Sequence, residues 1–186
     1  MKNSVVTFIA VCFLACNRTP PAQELTLTPA QSIQDFRLPE GFVAETAVAE
    51  PDVEAPVAMA FDADGAMWVV EMPSYMSNID GQEEKKPSGR IKICTDKNKD
   101  GTYETIRIFL DSLILPRAVC PIYGGVLVAN MPNLWFYEIQ PDGRPGKCTL
   151  VDSTYAEGLN PEHAANGLLP GLDNWIYNAR SDKRYR

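Results

Sequence analysis

The chain has 186 residues, a net charge of −7 and a sequence pI near 4.8, with 45% apolar and 22% charged residues. That length and composition suit one folded domain with a real core. No basic stripe runs along the chain, which excludes nucleic acid as a partner, and the acidity marks a soluble, exposed surface.

The first residues read as a leader. Lys2 supplies a small positive n-region, and Val5 to Ala15 is an apolar run too short to span a bilayer. The run ends in Phe13-Leu14-Ala15-Cys16. A small residue directly before a cysteine resembles a bacterial lipobox, in which Cys16 becomes the lipidated first residue of the mature protein. Phe13 departs from the usual Leu, and an ordinary cleaved signal peptide or an uncleaved anchor are the other readings. Acyl chains on Cys16 would hold the protein at a membrane surface of the cell envelope, each buried methylene adding roughly 0.8 kcal/mol. The expected organisation is a signal peptide over 1–16, a tether over 17–27 and a β-rich domain over 28–186.

Thr28-Pro29 predicts an N-cap with proline at N1, opening a short helix that runs to about Asp35. Leu38 to Gly41 turns the chain. Strands are expected at Phe42–Ala49, Val57–Phe61, Ala66–Met72, Arg90–Thr95, Tyr103–Leu110, Val126–Ala129, Leu134–Ile139, Lys147–Asp152 and Trp175–Tyr177. Between them lie the Asp62–Gly65 turn, a long polar loop from Pro73 to Ser88, and turns at Asp96–Gly101 and Pro141–Gly143. Many short strands at close spacing with Gly/Asp turns give an all-β fold.

An internal repeat narrows the architecture. Gly65-Ala-Met-Trp-Val-Val-Glu-Met-Pro matches Gly125-Val-Leu-Val-Ala-Asn-Met-Pro, and Asn174-Trp-Ile-Tyr-Asn-Ala is a looser third copy. The spacings are about 60 and about 50 residues, the scale of a four-stranded propeller blade with insertions. A blade cannot bury both faces alone. Three copies make about three blades, and closed propellers typically have about 4–8. The expectation is an incomplete β-propeller, the N-terminal part of a longer protein.

Cys12 lies in the leader, so Cys94, Cys120 and Cys148 remain in the mature body and permit at most one internal disulfide. No Cys-x-x-Cys-His is present to attach a c-type haem, and no Cys/His set has zinc spacing. His163, the single histidine, precedes a Gly171–Asn174 turn and the aromatic stretch Trp175–Tyr177. At neutral pH an imidazole can take and return a proton, so His163 is the candidate base; the plainer reading is a histidine that hydrogen-bonds a loop. Asp96, Asn98 and Asp100 place oxygens at alternate positions before Gly101, as in the first half of a calcium loop, with Glu104 as a further oxygen. Arg107 stands where an EF-hand needs its bidentate Glu, so the choice is between a calcium-binding β-turn and a solvated Asp/Asn turn. Trp68, Trp135 and Trp175 read as blade core. Glu71 is either a buried acid facing a central channel or an exposed strand end.

Leu38-Pro39-Glu40-Gly41-Phe42, Glu50-Pro51, Pro56 to Asp62, and Asp64-Gly65-x-Met67 to Met72 together resemble the opening of the PVC-type membrane-bound dehydrogenase domain. Gly89-Arg90-Ile91, Leu113-x-x-Pro116 and His163-x-x-Asn166-Gly167-Leu168-x-x-Gly171-x-Asp173-Asn174-Trp175-x-Tyr177 continue the likeness. That family of secreted bacterial propellers, often fused to cytochrome c, is similar to the soluble glucose/sorbosone dehydrogenases that use pyrroloquinoline quinone (PQQ). The resemblance implies an oxidoreductase acting on a sugar or other alcohol, with PQQ and calcium as cofactors and a cytochrome c module as partner in the full protein. It implies that His163 takes the substrate hydroxyl proton, with Gly171, Asp173 and Tyr177 shaping the turn behind it. Asn174 stands where that turn usually has Gly. The cations that grip the cofactor in those enzymes lie further along their chains, so the resemblance assigns none here unless Arg180, Lys183 or Arg186 belong to that set. The alternative is a non-catalytic propeller lipoprotein that binds a glycan or a protein.

Overall fold

The computed structural model describes residues 27–157, 163–179 and 182–186. The leader, Cys16 and nearly all of the tether therefore lie outside the described residues, as does Arg180. Helix α1 (Pro29–Gln34) forms as expected: the Gln31 N–H donates to Thr28 Oγ1, and the Thr28 N–H donates to Gln31 Oε1, a reciprocal capping box. Among the described residues no helix is long and apolar enough to cross a membrane.

Beyond α1 the described residues fold into three antiparallel sheets, successive blades of a β-propeller. Blade 1 is β1 (Pro56–Phe61), β2 (Met67–Glu71), β3 (Gly89–Thr95) and β4 (Thr105–Leu113). Blade 2 is β5 (Pro116–Ile122), β6 (Gly125–Asn130), β7 (Asn133–Ile139) and β8 (Pro145–Asp152). Blade 3 is β9 (Asn166–Pro170), β10 (Ile176–Ala179) and β11 (Arg184–Tyr185). Within each blade the strands pair in chain order, and the first strands β1, β5 and β9 neighbour one another from blade to blade. They are the inner strands.

Strand alternation sorts side chains between the blades. Trp68 and Val70 on β2 pack with Val119, Val126 and Val128 of blade 2, closing the first inter-blade core. Leu127 and Ala129, on the other face of β6, pack with Leu134, Tyr155, Ala164, Ala165 and Leu168, closing the second. Met67 and Val69 face Val53 and Cys94 on the outer side of blade 1. The next positions outward, Val57, Met59 and Phe61, are exposed, as are Leu169 and Tyr177 on blade 3.

The repeat maps onto β2, β6 and the start of β10, the second strand of each sheet, shifted by one residue from the sequence alignment. Gly65, Gly124 and Asn174 occupy equivalent turn positions, with φ of +84°, +78° and +65°. Ala66, Gly125 and Trp175 then align. Gly124, not Gly125, matches Gly65, because the left-handed turn residue is what recurs. Gly125 serves a different need: a Cβ there would stand 2.3 Å from the Tyr137 carbonyl oxygen and 2.4 Å from the Phe136 ring.

Two expectations are corrected. Residues 42–49 form no strand; they run irregularly over blade 1, where the Tyr103 N–H donates to the Ala47 carbonyl. Strands β5, β9 and β11 were not expected from the sequence. Cys94 and Cys120 are buried and free, and Cys148 is exposed and free, so the permitted disulfide does not form.

Candidate functional site

The antiparallel order gives each blade two ends. Pro56 pairs with Glu71, Pro116 with Asn130, and Ala179 with Asn166. The starts of all three inner strands therefore lie at one end, together with the 72–88 loop and the described residues 153–157, 163–165 and 182–183. We call this end the mouth. The opposite end carries the tight turns Asp62–Gly65, Asp96–Gly101, Tyr123–Gly124 and Gly171–Asn174.

This geometry separates residues that the sequence grouped. His163 is exposed in the turn leading into β9, at the mouth. Asp96, Asn98 and Asp100 are at the turn end, remote from it. There, Asp96 accepts from the Lys99 N–H (2.6 Å) and the Gly101 N–H (2.8 Å). Asn98 Oδ1 accepts from the Asp100 N–H, and Asp100 accepts from the Thr102 N–H (2.8 Å). Glu104 accepts from the Lys97 N–H. These are local turn bonds. The backbone bond from Thr102, then the Asn98 amide, lowers the Asp100 pKa. No group of three or more His, Cys, Asp or Glu is gathered as metal ligands among the described residues.

Asp173 and Tyr177 also belong to the turn end, one strand length from His163. Asp173 accepts from the Tyr177 hydroxyl at 2.5 Å, which holds the Asp173 pKa low, and from the Trp175 N–H. Asp62 does the same in blade 1. Its Oδ1 accepts from the Asp64 and Ala66 N–H groups, and its Oδ2 from Trp68 Nε1 at 2.9 Å. Trp68 and Tyr177 stand at equivalent strand positions, so an aromatic donor to a turn aspartate recurs in blades 1 and 3. This pair brackets the blade hairpin.

The mouth differs in kind. A cavity of about 250 Å³ opens there, lined by Val57, Ala58, Met72, Arg117, Asn166 and Gly167. All three inner strands contribute to it. Arg117 Nη1 lies 3.3 Å from the Met131 sulfur, and its Nε is buried with no hydrogen-bond partner. Burial lowers the Arg117 pKa, partly opposed by Tyr75 and Tyr155. The Tyr155 hydroxyl donates to the Gly167 carbonyl at 2.8 Å, tying the blade 2–blade 3 crossing to the start of β9.

Four residues among those described carry buried side-chain N or O atoms without a hydrogen-bond partner: Glu71, Ser88, Arg117 and Asn178. All four sit at the mouth end of their strands. Such atoms are rare in folded proteins, and each calls for a reason. Glu71 is fully buried at the end of β2, which decides between its two readings for burial, though it points to the outer side of blade 1 with Met67 and Val69. Its Oε1 takes the Lys92 ammonium at 2.9 Å and the Glu54 N–H at 2.6 Å, and Arg90 lies 3.6 Å from Oε2. Lys92 also donates to the Asp52 carbonyl. This cluster pins residues 52–54 to blade 1.

The cations near the chain's last residues are committed. Lys183 binds Asp152 at 2.9 Å and the Thr154 carbonyl at 3.0 Å, closing blade 3 onto blade 2 at the mouth. Arg184 and Arg186 lie over the Trp175 ring, 4.5 and 5.9 Å from its centroid, at the turn end. Arg117 and Asn166 are the mouth residues that sequence reasoning passed over. The Leu113-x-x-Pro116 match ended one residue short of Arg117, and an arginine inside an apolar run was the available signal.

The family model for a domain of unknown function, DUF7133, matches residues 28–185. No curated protein matches the chain. Among solved structures, a crystal structure whose description names a gluconolactonase is similar at 15% identity with a TM-score of 0.45, over 66% of this chain and 40% of that one. The chain thus spans about two fifths of the length of that protein.

Proposed function

We propose, from the premise that this chain belongs to the DUF7133 family, that it forms the leading blades of a lipid-anchored, extracytoplasmic propeller dehydrogenase that oxidises a sugar or other alcohol. The observation that carries the reading is the mouth. It brings together the uncompensated Arg117 guanidinium, the Asn166 amide and the turn bearing His163, while the opposite end is closed off by its own hydrogen bonds. A cavity with convergent polar groups at one end of a rigid scaffold is the default place for a ligand.

In this reading His163 is the general base for the substrate hydroxyl proton. PQQ, if bound, would supply the electron acceptor. PQQ carries several carboxylates, and the described mouth offers them Arg117, because Lys183 is held by Asp152. The described residues thus do not make a complete quinone cradle. The second reading, a binding propeller for a glycan or protein, is favoured by one observation: His163 is exposed and is not among the residues lining the cavity.

The test uses the complete gene product with PQQ and calcium, following dye reduction against a panel of sugars and alcohols beside His163→Ala. Quinone-dependent turnover that drops about 10²–10⁴-fold in the variant is expected for loss of a general base. Absence of quinone binding and turnover would establish the binding propeller instead.

A further inference from the structure

We propose that the mouth cavity is a subsite for the carboxylate of a sugar acid the size of one monosaccharide, an aldonate or uronate, with Arg117 as its anchor. This names the substrate class of the mouth and rests on the reading that the mouth is the working end.

Size comes first. At about 250 Å³ the cavity is smaller than the pockets of roughly 300–1,000 Å³ that take drug-sized ligands, and suits a single sugar ring. Its lining is divided. Val57, Ala58 and Met72 give an apolar wall from blade 1, while Arg117, Asn166 and the Gly167 backbone give a polar wall from blades 2 and 3. A pyranose has the same two aspects, a C–H face and a rim of hydroxyls. Gly167, at φ +72°, has no neighbour closer than 4.0 Å to the position of a Cβ, so the polar wall keeps its space open.

Charge comes second. Arg117 has no carboxylate within ion-pair distance among the described residues; its hydrogen bond runs to the neutral Met131 thioether, and the side chains that act on it electrostatically, Tyr75 and Tyr155, are phenols. Its buried Nε still needs an acceptor. A guanidinium presents parallel N–H groups that match a carboxylate's two oxygens, and such charge-assisted pairs are about twice as strong as neutral ones. A neutral sugar would leave the cation uncompensated. Asn166 offers both a donor and an acceptor for hydroxyls flanking the acid.

The test is calorimetric titration of the chain with glucuronate and gluconate, against glucose, in the wild type, Arg117→Gln and Arg117→Lys. The expected result is saturable binding of an acid at least about tenfold tighter than glucose, weakened at least about tenfold in Arg117→Gln and only partly restored by Lys, which keeps the charge without the fork. Equal affinity for acid and glucose, no saturable acid binding at millimolar concentration, or wild-type acid binding by Arg117→Gln would each overturn the proposal. The wild-type acid-to-glucose ratio decides the matter even if Arg117→Gln does not fold. Acid binding through Arg117 without dye reduction keeps the subsite and removes the dehydrogenase reading. Dye reduction of neutral sugars that ignores Arg117 does the reverse.

Discussion

Replacing Asp152 by Asn should weaken the junction between blades 2 and 3 in a way that vanishes in acid. Asp152 is the last residue of β8, and its side chain is only 15% exposed. Burial alone would raise its pKa. The Lys183 ammonium, the Thr154 N–H and hydroxyl, and the Tyr185 hydroxyl at 2.9 Å all favour the carboxylate and bring it down to about 2 from 3.8. At about 1.36 kcal/mol per unit that shift is worth at most about 2.5 kcal/mol. Lys183 is 35% exposed, so solvent screening reduces the figure to about 1–2 kcal/mol. The folded pKa is depressed, so the stabilisation is complete above the unfolded value near 4 and is lost as pH falls through about 2, with about half remaining at pH 3. Asparagine keeps the shape and removes the titration. Urea unfolding at pH 7 should place Asp152→Asn about 1–2 kcal/mol below wild type, and thermal unfolding should lower its Tm by about 2–8 °C. The gap should close between pH 4 and pH 2. A gap that stays constant down to pH 2 would show that packing, not the ionised carboxylate, holds the junction, and would refute the argument.

Glu71→Ala should cost about 3–5 kcal/mol, because it strands the Lys92 ammonium in a site where that residue is 7% exposed. Glu71→Leu combined with Lys92→Met should recover most of the loss in the same urea titration, and failure to recover would mean that the ion pair positions residues 52–54 rather than compensating a charge. Gly125→Ala should destabilise by about 1–3 kcal/mol in thermal unfolding, since the Tyr137 carbonyl 2.3 Å from the new Cβ is backbone and cannot swing away. An unchanged midpoint would show that β6 and β7 separate freely.

The blades were legible where the sequence alternates or runs apolar between Gly/Asp turns, as in Met67–Glu71 and Asn133–Ile139. Of the inner strands, β1 was legible and β5 and β9 were not. Strand β5 contains Pro116 and Pro121, and β9 ends in Pro170, residues that normally argue against a strand. An inner strand has a sheet neighbour on one side only, so a missing N–H facing the channel leaves no ladder bond unmade. Phe42–Ala49 misled in the opposite sense: the adjacent Phe42 and Val43 are both exposed and residues 46–49 are all half-buried, so its partial alternation does not reflect a two-sided strand. The repeat was visible, but its register was set by glycine identity, and only the backbone angle shows that Asn174 and Gly124 share the role of Gly65. His163 was found because it is the single histidine. Arg117 was missed because its meaning is an absence, a cation with no carboxylate in ion-pair distance among the described residues, and a sequence does not record which partners a residue lacks.

The division between the two ends bears on what the scaffold is for. At the turn end the carboxylates of Asp62, Asp96, Asp100 and Asp173 accept hydrogen bonds from neighbouring backbone N–H groups, and two of them also take an aromatic side-chain donor. Such a turn is satisfied before any ligand arrives, so its acidity alone is poor evidence for a metal. At the mouth the balance is reversed. Among the described residues, Arg117 and Ser88 keep buried polar atoms without a hydrogen-bond partner there, beside inner strands whose register shifts at Pro56–Ala58 and Pro116–Ala118. Folding tolerates an unmatched buried N–H at a cost of about 1–3 kcal/mol. Of these atoms, the Arg117 Nε is a donor on a residue that lines the mouth cavity. A ligand that supplies an acceptor to the Arg117 guanidinium recovers free energy on binding, which is why the mouth is where function should be sought.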